Sequence, residues 1–124
     1  MTDDRQRLKD SLSDGETIGT VRFVNEYSDG QDNYEIWITK DHAKILPFIE
    51  DNAVDIRLII NNMTYSGKLR STTENDYVWV SPTLYDENDK RIRLSDVLIG
   101  NGINRNQKLI LHSVGKNIYV KKQL

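Results

Sequence analysis

Few side chains in this sequence could do chemistry, and they are poorly grouped. The 124-residue chain has two histidines and no cysteine. Lack of cysteine excludes disulfides, thiolate metal sites and cysteine nucleophiles, and it fits a cytoplasmic protein. His42 and His112 stand far apart in sequence, neither with a partner at a metal-ligand spacing. His112 falls in a strand-like run and reads as structural. Asp29, Asp32 and Glu35 could hold a hard cation, but they do not match the calcium-loop pattern, and a solvated hairpin tip is the plainer reading. Glu87-Asn88-Asp89-Lys90 has the wrong spacing for a metal-dependent nuclease, whose catalytic Lys follows an acidic residue by two positions. Gly100-Asn101-Gly102 is too short for a phosphate loop and has no Lys-Ser/Thr after it. Ser66, in Tyr65-Ser66-Gly67, lacks the preceding glycine a nucleophile elbow needs. No catalytic residue, metal or cofactor is expected, so binding is favoured over transformation.

What remains is hydrogen-bonding and cationic chemistry in two polar segments. Ser28, Gln31, Asp32 and Asn33 crowd one of them beside Tyr34. Lys68, Arg70, Ser71, Thr72, Thr73, Glu74, Asn75 and Asp76 crowd the other, followed by Tyr77 and Trp79. Arg91, Arg93, Arg105 and Lys108 add positive charge further on. Net charge is −2, but it is unevenly spread: Met1 to Asp51 holds 12 acidic and 6 basic residues, Asn52 to Leu124 holds 7 and 11. Such asymmetry can mark a basic binding face, and an uneven solvated surface accounts for it equally well.

The elements that must position these residues are mostly strands. Tyr34, Ile36 and Ile38 alternate with Glu35, Trp37 and Thr39, and Val54, Ile56, Leu58 and Ile60 alternate with polar neighbours. Val21 and Phe23 precede the turn formers Ser28 to Asn33, so the first two strands read as a long-looped hairpin. Asn61-Asn62 tolerates the left-handed backbone of a tight hairpin, which pairs Val54–Ile60 with Thr64–Arg70. Tyr77 to Ser81 is a further strand. Leu109–Val114 and Ile118–Lys121 form a last hairpin around Gly115-Lys116-Asn117. Two short helices are expected. One lies in Asp41 to Asn52, capped by Asp41 and shortened or broken by Pro47. The other, Ser95 to Ile99, is capped by Ser95 and closed by Gly100 or Gly102. Val54, Ile56, Leu58, Ile60, Val78, Val80, Leu109 and Leu111 should form the core. The expectation is one mostly β domain over residues 16–124, a seven-stranded open or pseudo-closed barrel. Residues 1–15 would form a polar tail or short helix, with Leu8 and Leu12 four apart. No apolar run approaches the roughly 18 residues of a membrane span, so no membrane partner is expected.

Two stretches carry a family resemblance. Tyr65-Ser66-Gly67-Lys68-Leu69-Arg70-Ser71-Thr72-Thr73 leads through a polar loop into Tyr77-Val78-Trp79-Val80-Ser81-Pro82, and Arg93-Leu94-Ser95-Asp96-Val97-Leu98 leads by way of Gly102 to Lys108 into the final hairpin. Together with the order of elements, these resemble the B3-like DNA-recognition domains of some restriction endonucleases, of the EcoRII N-terminal and BfiI C-terminal type. The resemblance covers about 60 residues at motif level, and the strand–helix–strand order extends it over most of the chain from Glu16.

The resemblance implies a seven-stranded pseudobarrel that grips double-stranded DNA in the major groove with two arms, any cutting activity belonging to another domain or a partner chain. The N-arm would be Glu26 to Tyr34, reading bases with Ser28, Gln31, Asp32, Asn33 and Tyr34. The C-arm would run from Lys68 to Trp79. Arg70 could pair with a guanine edge, Gln31, Asn33 or Asn75 with adenine, and Asp32, Glu74 or Asp76 with cytosine N4. Thr72 and Thr73 could bond a phosphate or touch a thymine methyl. Lys68, Arg91, Arg93, Arg105 and Lys108 would contact phosphates. Each has a plainer alternative: Arg70 as partner of Glu74, Trp79 as packing, Asn33 and Asn75 as turn residues. The N-arm departs from the pattern in holding Glu26, Asp29, Asp32 and Glu35 with no Lys or Arg. A protein-interaction module on a small β-barrel is the competing expectation.

Overall fold

Alternation of apolar and polar residues gives the chain its strands, because side chains two apart share one face of a strand. The computed structural model describes residues 15–123; the expected tail or helix at 1–15 lies almost wholly outside them. The strands are β1 (Glu16–Glu26), β2 (Asp32–Thr39), β3 (Ala53–Ile60), β4 (Met63–Ser71), β5 (Tyr77–Val80), β6 (Thr83–Tyr85), β7 (Arg91–Arg93), β8 (Lys108–Val114) and β9 (Asn117–Lys122), with one helix, α1 (Leu94–Gly100), between β7 and β8.

Seven strands form a closed ring in the order β3-β9-β8-β1-β2-β5-β4, and β4 pairs back to β3. The barrel is therefore closed rather than open. Every neighbouring pair is antiparallel except β3 and β9. Closure satisfies both edges of every barrel strand. The β6–β7 hairpin hangs from β4 through a single pairing, Ser66 with Tyr85, and is not among the strands expected from the sequence. All eight expected core residues, Val54 to Leu111, are buried. Leu84 enters the core beside Gly67, where a Cβ would stand 2.8 Å from its Cδ2. At Asn61 and Asn62 φ is +49° and +64°, the left-handed turn their type suggested.

The first expected helix is a correction. Asp41 to Asn52 forms separate turns, in which His42, Ala43 and Leu46 each donate to a carbonyl three residues back. Pro47 has no N–H to continue the ladder, and buried Ala43 and Leu46 anchor the segment to the core instead. The second helix starts one residue earlier than expected, with Arg93 at its N-cap and no side-chain cap. Ser95 is buried, its hydroxyl without a partner among the described residues. The helix closes as the sequence suggested at Gly102 (φ +74°), which donates to Ile99 while Ile103 donates to Leu98.

Candidate nucleic-acid interface

Strand direction fixes where the two polar segments lie. β1 and β2 are antiparallel and meet at the 27–31 turn, while β4 and β5 meet through 72–76. Thr39, at the far end of β2, pairs with Tyr77 at the start of β5. The two loops therefore stand at opposite ends of β2, about 25 Å apart at about 3.3 Å per residue. Between them runs the outer wall of β8, β1, β2, β5 and β4.

Register assembles that wall. Lys108 pairs with Thr20, Thr20 with Trp37, Trp37 with Trp79, and Trp79 with Arg70, so one transverse row crosses five strands. Their inward neighbours Val21, Ile36, Ile38, Val78, Val80 and Leu69 are fully or almost fully buried, which by strict alternation turns the row outward. Trp37 stacks on Tyr77 with ring centroids 4.0 Å apart and planes 12° apart, and Tyr77 tilts against Trp79 at 5.7 Å. The Arg22 guanidinium lies 5.4 Å from the centre of the Trp37 ring. Lys108 Nζ donates to Thr20 Oγ1 (2.8 Å). Arg70 Nε donates to Ser81 Oγ (2.7 Å), which aims the guanidinium and leaves its two terminal nitrogens as donors for a partner. Lys68 pairs with Asp55, whose carboxyl that contact holds below its ordinary pKa. Glu35 is the one carboxylate in the middle of the wall. Burial pushes its pKa above the ordinary value, against the Trp37 indole N–H (2.8 Å) and the Arg70 charge, which favour ionisation.

The loop at 72–76 is tied down at its base. Lys40 Nζ donates to the Thr72 carbonyl (2.9 Å) and pairs with Glu50 (2.7 Å). Ser71 Oγ, buried, donates to Glu50 Oε1 (3.2 Å), and the Thr73 N–H donates to Asp51 Oδ1 (2.9 Å). Thr73, Glu74 and Asp76 are exposed, while Thr72 and Asn75 are half-buried. Of the C-arm residues, Ser71 belongs to this support and Arg70 turns to Ser81.

At the other end, Ser28 and Gln31 are exposed at the hairpin tip. Asn33 Nδ2 donates to Asn25 Oδ1 (3.0 Å). Tyr34 is 2% exposed; its ring is core, which takes it out of the base-reading set, and its hydroxyl donates to Asp32 (3.1 Å). Arg93 and Arg105 point into this hairpin. Arg93 lies 3.7 Å over the Tyr27 ring and bonds Asp29 (2.9 Å). Arg105 lies 4.7 Å over the Phe23 ring and 4.0 Å from Asp32. The Gln31 backbone N–H, then Arg93, holds the Asp29 carboxyl below its ordinary pKa. These two arginines thus brace the hairpin and offset the carboxylates that made it look unsuited to DNA. Arg91 is exposed on the outlying β6–β7 hairpin.

Asp29, Asp32 and Glu35 turn to Arg93, Tyr34 and Trp37 respectively. Among the described residues no three His, Asp or Glu gather in a way that could hold a metal ion. Sequence reasoning missed Arg22, Thr20 and Trp37 as wall residues. The signal for Trp37 was present, since it alternates outward with Glu35 and Thr39. Arg22 and Thr20 needed the pairing of β1 with both β2 and β8. Comparison with protein-family models, curated proteins and solved structures found no match to this chain.

Proposed function

We propose that the protein binds double-stranded DNA with sequence preference, as a B3-like recognition domain. The wall lies against the duplex, and the 27–31 and 72–76 loops reach the groove from its two ends. One observation carries this reading: the row Lys108, Thr20, Trp37, Trp79 and Arg70 presents cations and aromatic rings on a rigid sheet, flanked by two polar loops. Cations supply the sequence-independent grip on phosphates, and the fork of Arg70 suits the O6 and N7 edge of guanine. The loops carry the adaptable readers: Ser28 and Gln31 at one end, Thr73, Glu74, Asn75 and Asp76 at the other, while the Thr72 hydroxyl and Asn33 Oδ1 are buried. The domain performs no chemistry itself, and any cutting belongs to another domain or chain. Selection of bound duplexes from a random pool by gel shift tests the reading. Enrichment of one site, with affinity that falls steeply with salt, supports it. No enrichment and a flat salt response refute it and favour a protein partner for the wall.

A further inference from the structure

The wall is not flat. A recess of about 250 Å³ opens between β1, β2, β5 and the turns after β2. Trp37 and Tyr77 line it as a stacked pair, Arg22 and Lys108 stand on its rim, and Thr39 and Asp76 lie at the end nearest the 72–76 loop. Its volume falls just under the range of pockets for drug-sized ligands, which suits one heterocycle rather than a larger molecule.

Its groups are ordered along the strands. Arg22 sits at the level of Glu35, Thr20 and Lys108 at that of Trp37, and Tyr77 at that of Thr39. Arg22 beside Glu35, then Trp37 with Lys108 at its level, then Tyr77 and Thr39 with His42 and Asp76 near them therefore follow one another over about 13 Å, at about 3.3 Å per residue. A nucleotide has groups to match. Its phosphate is anionic, its base has a stackable face, and the bases with exocyclic amines carry donors on the far edge. Within a duplex both faces of a base are covered by its neighbours, so only a base outside the stack could lie on these rings.

We propose that this recess binds one unstacked nucleotide, with its base on the Trp37–Tyr77 surface, its phosphate at Arg22 and Lys108, and its exocyclic amine toward Asp76. The proposal rests on the duplex-binding reading where the nucleotide is an extrahelical residue of bound DNA; a free deoxynucleoside monophosphate presents the same groups. The protein has only two tryptophans, and both lie on this wall, so their emission reports on it directly.

Two measurements separate the sources. Wild-type protein is titrated by fluorescence anisotropy against a fully paired duplex and the same duplex carrying one bulged nucleotide. Trp79→Phe protein, which keeps only Trp37, is titrated with deoxycytidine and deoxyadenosine monophosphates, with inorganic phosphate as the charge control. The bulged duplex should bind about tenfold tighter than the paired one, as one added base–aromatic stack provides. Tyr77→Ala should bring that ratio close to one. Saturable quenching of Trp37 by a monophosphate, and not by phosphate, assigns the recess to free nucleotides as well. Equal binding of the two duplexes without monophosphate quenching overturns the inference and leaves the duplex reading standing. Failure to bind either duplex overturns the duplex reading, and monophosphate quenching then decides the recess alone.

Discussion

Removing Arg22 and Arg70 together is the sharpest test of the wall. Four cations stand on it: Arg22, Lys68, Arg70 and Lys108. Arg22, Arg70 and Lys108 lie on or beside the Trp37–Trp79 row and are counted as phosphate partners, while Lys68 lies beyond it against Asp55. Each released counterion contributes about 0.9 to the slope of log affinity against log salt, so the wall supplies a slope of about −2.7. Raising salt from about 50 to about 200 mM then weakens its share of binding about 40-fold. In Arg22→Ala/Arg70→Ala protein only Lys108 remains, the slope falls by about 1.8, and the same change in salt costs about fourfold. Loop contacts are common to both proteins and cancel in the difference. The assay is anisotropy on a selected duplex across that salt range, with circular dichroism to check the fold. Arg70→Lys alone separates charge from shape, because lysine keeps the slope but loses the planar fork. If it reads guanine, Arg70→Ala alone relaxes specificity at one position by about 1–3 kcal/mol. Equal slopes for wild type and the double variant, with the fold intact, refute the assignment of the wall as the DNA face.

Further outcomes follow from the packing. At Gly19 a Cβ would stand 2.8 Å from Ile36 Cγ2 and 3.1 Å from Leu111 Cδ1, both side chains fully buried, so Gly19→Ala should lower stability in urea unfolding by about 1–3 kcal/mol. Burial raises the Glu35 pKa in the folded protein, so its contribution to stability is complete below the unfolded value and is lost as pH rises through the folded one. Glu35→Gln should flatten the stability curve across that window and strengthen DNA binding, and an unchanged curve in urea melts at several pH values counts against this. Arg93→Ala should bring the Asp29 pKa only part of the way to its ordinary value, since the Gln31 N–H remains. Global stability should change little for so exposed a pair, and carboxyl NMR titration with amide exchange at 27–31 reads both effects.

Local patterns were legible in the sequence, and long-range pairings were not. The seven alternating or apolar runs are the seven barrel strands, and Asn61-Asn62 and Gly115 mark turns whose backbone only a few residue types accept. Asp41 to Asn52 misled because Ala43, Leu46 and Ile49 fall at helical spacing. Burial of Ala43 and Leu46 in the core is met equally by successive turns, and Pro47 tips the balance. The site was half legible. The C-arm strands and Trp79 stood out by composition, but register alone sets Arg22, Trp37 and Lys108 beside them, and β1 meets β8 across some 90 residues. Arg93 and Arg105 looked like phosphate ligands because a sequence cannot reveal that the aromatic rings and carboxylates of the first hairpin are within their reach.

The one parallel pairing, β3 with β9, has a kinetic consequence. β9 follows every other strand in the chain, yet it fills the gap between β3 and β8. During synthesis the ring stays unsealed until the chain has been made past Lys122, and until then β3 and β8 each present an unpaired edge to other chains. Contacts of such large sequence separation also slow folding. A nascent chain arrested just before Asn117 should therefore associate with its own kind, and supplying the missing Asn117–Lys122 strand as a peptide should suppress that association by sealing the gap.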